Sequence, residues 1–338
     1  MMRVVAVILL LYFDFGNAFL PPAFRSRGVY TLEFGARRVN DGCSWNVCQK
    51  NRRFSPTHRV EPLHACDNGH LQAKIIRPGL HVKLGGRIVN LVGIWFGFMT
   101  FFWALAVYPV LLMSWVWSLL FDPRRLCAVD WTIHFWAKFT MLCCFTKPRV
   151  SGLENIAGVD RKEPLMFIPN HTSFLDIFSL SGFLPRRLKY VSKIEILRVP
   201  LIGWAMQMAR HIAIRRADRQ SQMQTFKDAV QSLKDGNSLV TFAEGTRSPD
   251  GTLRKFKKGP FKMTKRAECL IIPVSICNMH RWMPADTALL PLGFPGKTGE
   301  IKIHPPVDTR GRNEEEVLLE VFETINSGLP EFQKHKFQ

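Results

Sequence analysis

Two short blocks concentrate the side chains able to do chemistry. The first is Asn170-His171-Thr172-Ser173-Phe174-Leu175-Asp176. His171 and Asp176 stand five apart, so in an unbroken helix they would diverge by about 140°. They meet only if the histidine lies in a loop and the aspartate in the first turn of the helix that follows. With Ser173 as N-cap, Asp176 sits at N3 and projects back toward that loop. A carboxylate that holds one imidazole nitrogen leaves the other to take a proton from a hydroxyl, a general-base arrangement that needs no nucleophilic Ser or Cys. The plainer alternative makes Asp176 a helix cap and nothing more.

The second block is Phe242-Ala243-Glu244-Gly245-Thr246-Arg247-Ser248. Gly245 allows a sharp turn, with Thr246 in it, and the planar fork of Arg247 suits a phosphate. Glu244 beside an incoming anion would hold Arg247 or a substrate hydroxyl; the alternative is a strand-end turn with a surface ion pair. Between the blocks, His211-Ile212-Ala213-Ile214-Arg215-Arg216 ends a short strand in charge, with Arg216 the candidate phosphate ligand. Thr252 to Ala267 then carries seven basic residues, Lys258 among them, and no acid. Beside an anion-binding turn this run suits a phosphorylated substrate or an acidic membrane.

Both blocks need strand-to-helix loops to position them. Strands are predicted over 165–168, 212–214, 239–242, 270–276 and 301–304, alternating with helical patterns, which points to an α/β fold with a mixed, mostly parallel sheet flanked by helices. Ser221 to Lys234 is the clearest helix, with Met223, Phe226, Val230 and Leu233 on one face and Gly236 as its stop. Another starts at Asn313, with Glu316 completing a capping-box pattern and Val317, Val321 and Ile325 as its stripe. This domain is expected over residues 148–330.

Of the 338 residues, 47% are hydrophobic and 22% charged, and the net charge is +19. That excludes a disordered chain and implies an anionic partner or surface. Eight cysteines without paired spacing argue against a disulfide scaffold or zinc module. The basic run has only Phe256 and Phe261 as interleaved aromatics, which disfavours nucleic acid as the partner.

Ile88 to Phe121 holds 34 residues without a charge. A bilayer core of about 30 Å needs only about 20 helical residues, so one tilted helix or two pieces broken near Pro109 is expected. Ala128 to Phe145 reads as an amphipathic helix with Asp130, His134 and Lys138 on its polar face, lying in the interface or packed on the domain. Residues 81–147 are thus expected to anchor the chain in a membrane. Met1 to Ala18 reads as a signal peptide: Arg3, ten apolar residues, then Gly16, Asn17 and Ala18. Residues 19–80, with ten basic residues against four acids up to Gly79, have the composition of a transit segment. A leader whose signal peptide is followed by Phe19 and a basic stretch resembles those of algae whose plastids lie behind extra membranes. It points to a plastid envelope membrane, with the endoplasmic reticulum membrane as the alternative.

The order NHTSFLD, HIAIRR, FAEGTRS and IIPVS, across roughly Ser151 to Pro306, resembles the glycerolipid acyltransferase family, and most closely its plastid lysophosphatidic acid acyltransferases. The resemblance implies a glycerol-3-phosphate acyltransferase-like fold, with His171 as base and Asp176 its orienting partner. It implies a glycerol-phosphate site at Arg216, Glu244, Gly245 and Arg247, to which Thr246 and Lys258 are added as candidates. The implied reaction moves an acyl group from an acyl carrier protein or coenzyme A thioester to the sn-2 hydroxyl of lysophosphatidic acid in a bilayer. It gives phosphatidic acid and requires no metal or cofactor. Glycerol 3-phosphate or another lysolipid is the alternative acceptor. Arg210 stands where this family usually has Gly, and Ala243 where it usually has Pro.

Overall fold

In a computed structural model of the chain, the described residues are 81–84, 87–215, 218–283 and 299–335. The leader, the whole basic segment behind it, and Arg216 lie outside them. A hairpin, β1 (His81–Leu84) with β2 (Arg87–Asn90), leads into α1 (Leu91–Phe121). The helix starts where Asn90 Oδ1 accepts the Gly93 N–H at 3.1 Å, and it continues through Pro109 as one 31-residue element. At 1.5 Å per residue it is about 46 Å long. Among the described residues it is the one helix long and apolar enough to cross a membrane. Asp122 and Pro123 end it, Leu126 takes a left-handed φ of 56°, and Asp122 Oδ2 receives the Cys127 N–H that opens α2 (Cys127–Cys143).

The remaining chain builds a seven-stranded sheet. Its strands are β3 (Arg149–Ser151), β4 (Leu165–Pro169), β5 (Leu188–Lys193), β6 (Ile212–Ile214), β7 (Ser238–Val240), β8 (Leu270–Cys277) and β9 (Glu300–Ile303). The order is β3-β9-β8-β4-β7-β5-β6, parallel throughout except for β8 against β9. All five residues of β4 are buried, as a central parallel strand covered on both faces requires. One face is covered by α1, α2 and α3 (Leu175–Phe183), with Phe96, Met141, Phe178 and Phe167 in the shared core. The helix α4 (Ile202–Met208) packs near the end of α1 through Ala205 and Leu111. The other face is covered by α5 (Arg219–Lys234), α6 (Gly259–Ala267) and α7 (Glu314–Gly328), whose Leu233, Phe261 and Val321 meet Ile168.

Two expectations change. The strand before the second block stops at Val240, two residues early. Helix α5 begins at Arg219, capped by Asp218, and its buried stripe is Thr225, Ala229, Val230 and Leu233, which leaves Met223 exposed. The apolar stripe of α7 packs as its spacing predicts, with Asn313 Oδ1 capping the Glu315 N–H.

The amphipathic helix α2 faces the unexpected way round for an interfacial helix. Its polar residues Asp130 and His134 are buried against the domain, while Trp131, Phe135, Phe139 and Leu142 are exposed. Asp130 reaches Lys189 Nζ at 2.9 and 3.1 Å, and that ammonium also donates to the Ala209 carbonyl at 2.8 Å. The polar groups find partners inside the protein, so the aromatic face is left outside. Together with Leu105, Met113, Leu120 and Phe121 of α1 it forms an apolar surface of the kind a bilayer covers.

Candidate active site

The first block leaves the C-terminal end of β4. Asn170 fixes the exit: its Oδ1 accepts the Ile276 N–H at 2.7 Å and its Nδ2 donates to the Ile276 carbonyl at 3.0 Å, clamping the loop to β8. His171 then lies in the loop and Asp176 in the first turn of α3. Asp176 Oδ2 sits 3.0 Å from His171 Nδ1 and accepts the N–H groups of Thr172 and Ser173, each at 2.8 Å. Ser173 Oγ in turn accepts the Leu175 N–H at 3.1 Å. The aspartate is fully buried, whereas the His171 side chain is 12% exposed and open to a reactant. The Thr172 and Ser173 N–H groups fix Asp176 Oδ2 in place. That carboxylate orients the ring, with Nδ1 as the donor and Nε2 left to accept a proton.

The second block supplies the wall. Phe242 stacks on the His171 imidazole at 3.7 Å between centroids, with 19° between planes. Glu244 is buried, and its two oxygens hold two loops at once: Oε1 accepts the His171 N–H at 2.7 Å and Oε2 the Arg254 N–H at 3.2 Å. Burial pushes its carboxyl up to about 8 against the pull of those two donors, and the nearby charge of Asp176 adds to the rise. The Ser248 N–H donates to the His171 carbonyl at 2.8 Å, so the blocks are laced together on both sides of the histidine.

Gly245 adopts φ +77°, and a Cβ there would meet Lys257 Cε and Nζ at 2.8 Å. The left-handed backbone is what requires glycine, since the Lys257 end is a flexible tip that can move aside. Thr246 is exposed on the same turn. Arg247 is half-buried: burial pulls its guanidinium below the ordinary value, and the Asp176 charge opposes the shift. A cationic side chain held there, close to the histidine, suits an anion carried by a reacting hydroxyl compound.

The structure thus brings together His171, Asp176, Glu244, Gly245 and Arg247. Lys258 turns outward to Glu315 at 2.5 Å, and it is the neighbouring Lys257 that lies against Gly245. Sequence reasoning saw the basic run but not which lysine faces the turn. It also missed Phe242 as the stacking partner, although that residue begins the second block. Arg210 takes a left-handed φ of 52°, which accounts for glycine being usual there, and its Nη1 donates to the Pro123 carbonyl at 2.7 Å. Among the described residues no cluster of three or more His, Cys, Asp or Glu is placed to hold a metal ion.

Residues 147–277 match the Acyltransferase family. The chain is 34% identical over 239 residues to the chloroplastic 1-acyl-sn-glycerol-3-phosphate acyltransferase of Arabidopsis thaliana, a match covering 71% of this chain and 65% of that one. It is 31% identical over 259 residues to a chloroplastic enzyme of the same name from Brassica napus, covering 75% and 73%. Among solved structures it is similar to the 1-acyl-sn-glycerophosphate acyltransferase PlsC of Thermotoga maritima. The TM-score is 0.60 at 28% identity, over 70% of this chain and 93% of that one.

Proposed function

The chain belongs to the glycerolipid acyltransferase family, and from that membership we propose that it moves a fatty acyl group from an acyl-thioester to the sn-2 hydroxyl of 1-acylglycerol 3-phosphate, giving phosphatidic acid. The observation that carries the reading is the His171–Asp176 pair at 3.0 Å, with Glu244 holding the same histidine's backbone from the second loop. His171 Nε2 takes the proton of the acceptor hydroxyl as its oxygen attacks the thioester carbonyl carbon. The tetrahedral intermediate then expels the thiolate, which leaves as the thiol once protonated. Asp176 stabilises the imidazolium that forms between these steps. Base catalysis contributes roughly 10²- to 10⁴-fold, with positioning and charge stabilisation supplying the rest.

The phosphate of the acceptor is assigned to Arg247 and Arg216, with Lys257 beside Gly245 as a third cation. The acyl chains remain with the bilayer that covers the exposed apolar faces of α1 and α2. The donor is an acyl carrier protein or coenzyme A thioester. The similarity to chloroplastic relatives supports a plastid, and the apolar helix α1 supports its envelope membrane as the location.

Purified full-length protein in mixed micelles, supplied with each thioester and with 1-acylglycerol 3-phosphate, glycerol 3-phosphate or a zwitterionic lysolipid, tests the reading. Phosphatidic acid should form with the first acceptor at a kcat/KM at least tenfold above the others. A preference for glycerol 3-phosphate or the zwitterionic lysolipid would replace it.

A further inference from the structure

At the other end of the sheet from His171, a cavity of about 230 Å³ opens where β5 and β7 begin. The strands are parallel, so the acyl-transfer loops leave their C-terminal ends, whereas Arg186 and Arg187 precede β5 and Gly236 to Ser238 lead into β7. Arg161, Arg186 and Arg187 line this cavity, with Asn237 and Trp131. Arg125 closes one side, its Nε donating to the Asp235 carbonyl at 3.2 Å and its Nη2 lying against Gly236.

Of the acids nearby, Asp130, on the cavity wall, is paired with Lys189; Asp122 accepts the Cys127 N–H and Asp160 Oδ1 the Lys162 N–H at 2.9 Å, and the charges of Asp122, Asp160 and Glu163 partly offset those of Arg187 and Arg186. Arg186 is buried, and its Nη1 and Nη2 donate to the carbonyls of Asp160 and Val159 at 2.8 and 2.7 Å, which fixes its charge in place without neutralising it. Burial first, and then the like charge of Arg125, pulls Arg187 below the ordinary guanidinium value; burial and then Arg161 act the same way on Arg186. Three guanidinium groups therefore line one concave site, with Arg125 against its Gly236 edge and Arg187 also donating to Cys127 Sγ, a placement that an anion stabilises.

What reaches this site is set by its rim. Trp131 is exposed there and begins an aromatic row down α2, with Phe135 at 6.3 Å and Phe139 a further 6.4 Å on. The uncovered last turns of α1, from Val116 to Phe121, run into Asp122 and the basic pair Arg124–Arg125. Indole rings beside basic side chains at the end of an apolar surface mark the headgroup level of a bilayer.

We propose that this cavity binds the anionic headgroup of a membrane phospholipid, separately from the acceptor and donor sites, with the lipid chains lying along the outer faces of α1 and α2. Its effect is to seat the α1–α2 helix pair at a fixed depth in membranes that carry anionic lipid.

The test is flotation of full-length protein with phosphatidylcholine vesicles that do or do not contain phosphatidylglycerol. Arg161→Gln with Arg187→Gln should lower the preference for anionic vesicles on the order of tenfold, since two charge-assisted phosphate contacts are removed. Lys147→Gln with Arg149→Gln removes the same charge from exposed positions away from the cavity and its rim and should lower it no more than about threefold. Equal losses in both would mean diffuse attraction and overturn the site. Wild-type protein with a phosphatidylglycerol carrying a photo-crosslinker in its headgroup gives an answer independent of whether the variants fold. Cross-links at residues 125–131 and 185–187 support the proposal, and cross-links confined to other segments overturn it. Inorganic phosphate that displaces this probe as effectively as short-chain phosphatidylglycerol would make the ligand free phosphate and not a lipid. Acyl transfer in neutral micelles should be unchanged in the double variant, which separates this site from the reaction.

Discussion

Glu244 grips the main chain of His171, not its ring: Oε1 accepts the His171 N–H at 2.7 Å, while Asp176 from the other side takes Nδ1 at 3.0 Å. One acidic side chain sets where the histidine is, and the other sets how its ring points. Glu244→Gln keeps one carbonyl oxygen for His171 but turns an amide NH₂ against the Arg254 N–H. Because the histidine is displaced without being removed, kcat should fall about 10- to 100-fold with KM for the acceptor nearly unchanged. A KM effect alone would assign Glu244 to substrate binding.

The same residue predicts a pH dependence of stability. The folded carboxyl is raised from 4.5 to about 8, so across that window the folded state holds a proton that the unfolded state has released. Stability from this group is full below pH 4.5, declines as pH rises through the window, and is flat above about 8. Thermal melts of the wild type should decline across it more steeply than those of Glu244→Gln. Parallel curves would show that Glu244 does not titrate there.

Asp176→Asn separates charge from architecture. All three contacts to Asp176 converge on Oδ2, so an asparagine carbonyl placed there keeps the Thr172 and Ser173 amide bonds and loses the charge, while its NH₂ takes the buried, unpartnered position of Oδ1. Activity should drop by roughly 10²-fold or more with stability lowered by about 1–3 kcal/mol for the buried amide, and His171→Ala should fall at least as far in activity. Activity within about threefold of wild type in His171→Ala would remove it from the role of base.

Arg247→Ala should raise KM for the phosphorylated acceptor far more than for the thioester, by about 1.5–3 kcal/mol if a charged phosphate contact is lost. Lysine should rescue only partly, because it lacks the planar fork. Equal effects on both substrates would assign the arginine to the fold.

The relation of His171 to Asp176 was legible in the sequence because it is local: a loop, a cap and the first turn of a helix decide it. The parallel sheet was legible too, since short apolar runs alternated with helical ones. Phe242 over the imidazole and Glu244 on the His171 amide were not, because each depends on how two loops some seventy residues apart settle beside each other, and Lys257 against Gly245 was not, because it depends on how the basic loop folds back over the turn twelve residues before it. The orientation of α2 escaped for the same reason: its polar stripe was plain, but the ammonium that draws Asp130 inward is Lys189, on a strand 59 residues away.

Arg210 offers a test of backbone strain with an internal control. At φ 52° a residue with a Cβ is strained by roughly 1 kcal/mol, which glycine escapes. Arg210→Gly and Arg210→Ala both lose the bond to the Pro123 carbonyl, so their difference isolates the backbone. The glycine variant should be the more stable of the two by about 1 kcal/mol, read from chemical denaturation in detergent. Alanine equal to glycine would mean that the turn relaxes out of the left-handed region, and glycine below wild type would measure what the guanidinium contributes by tying the turn before β6 to the α1–α2 connection.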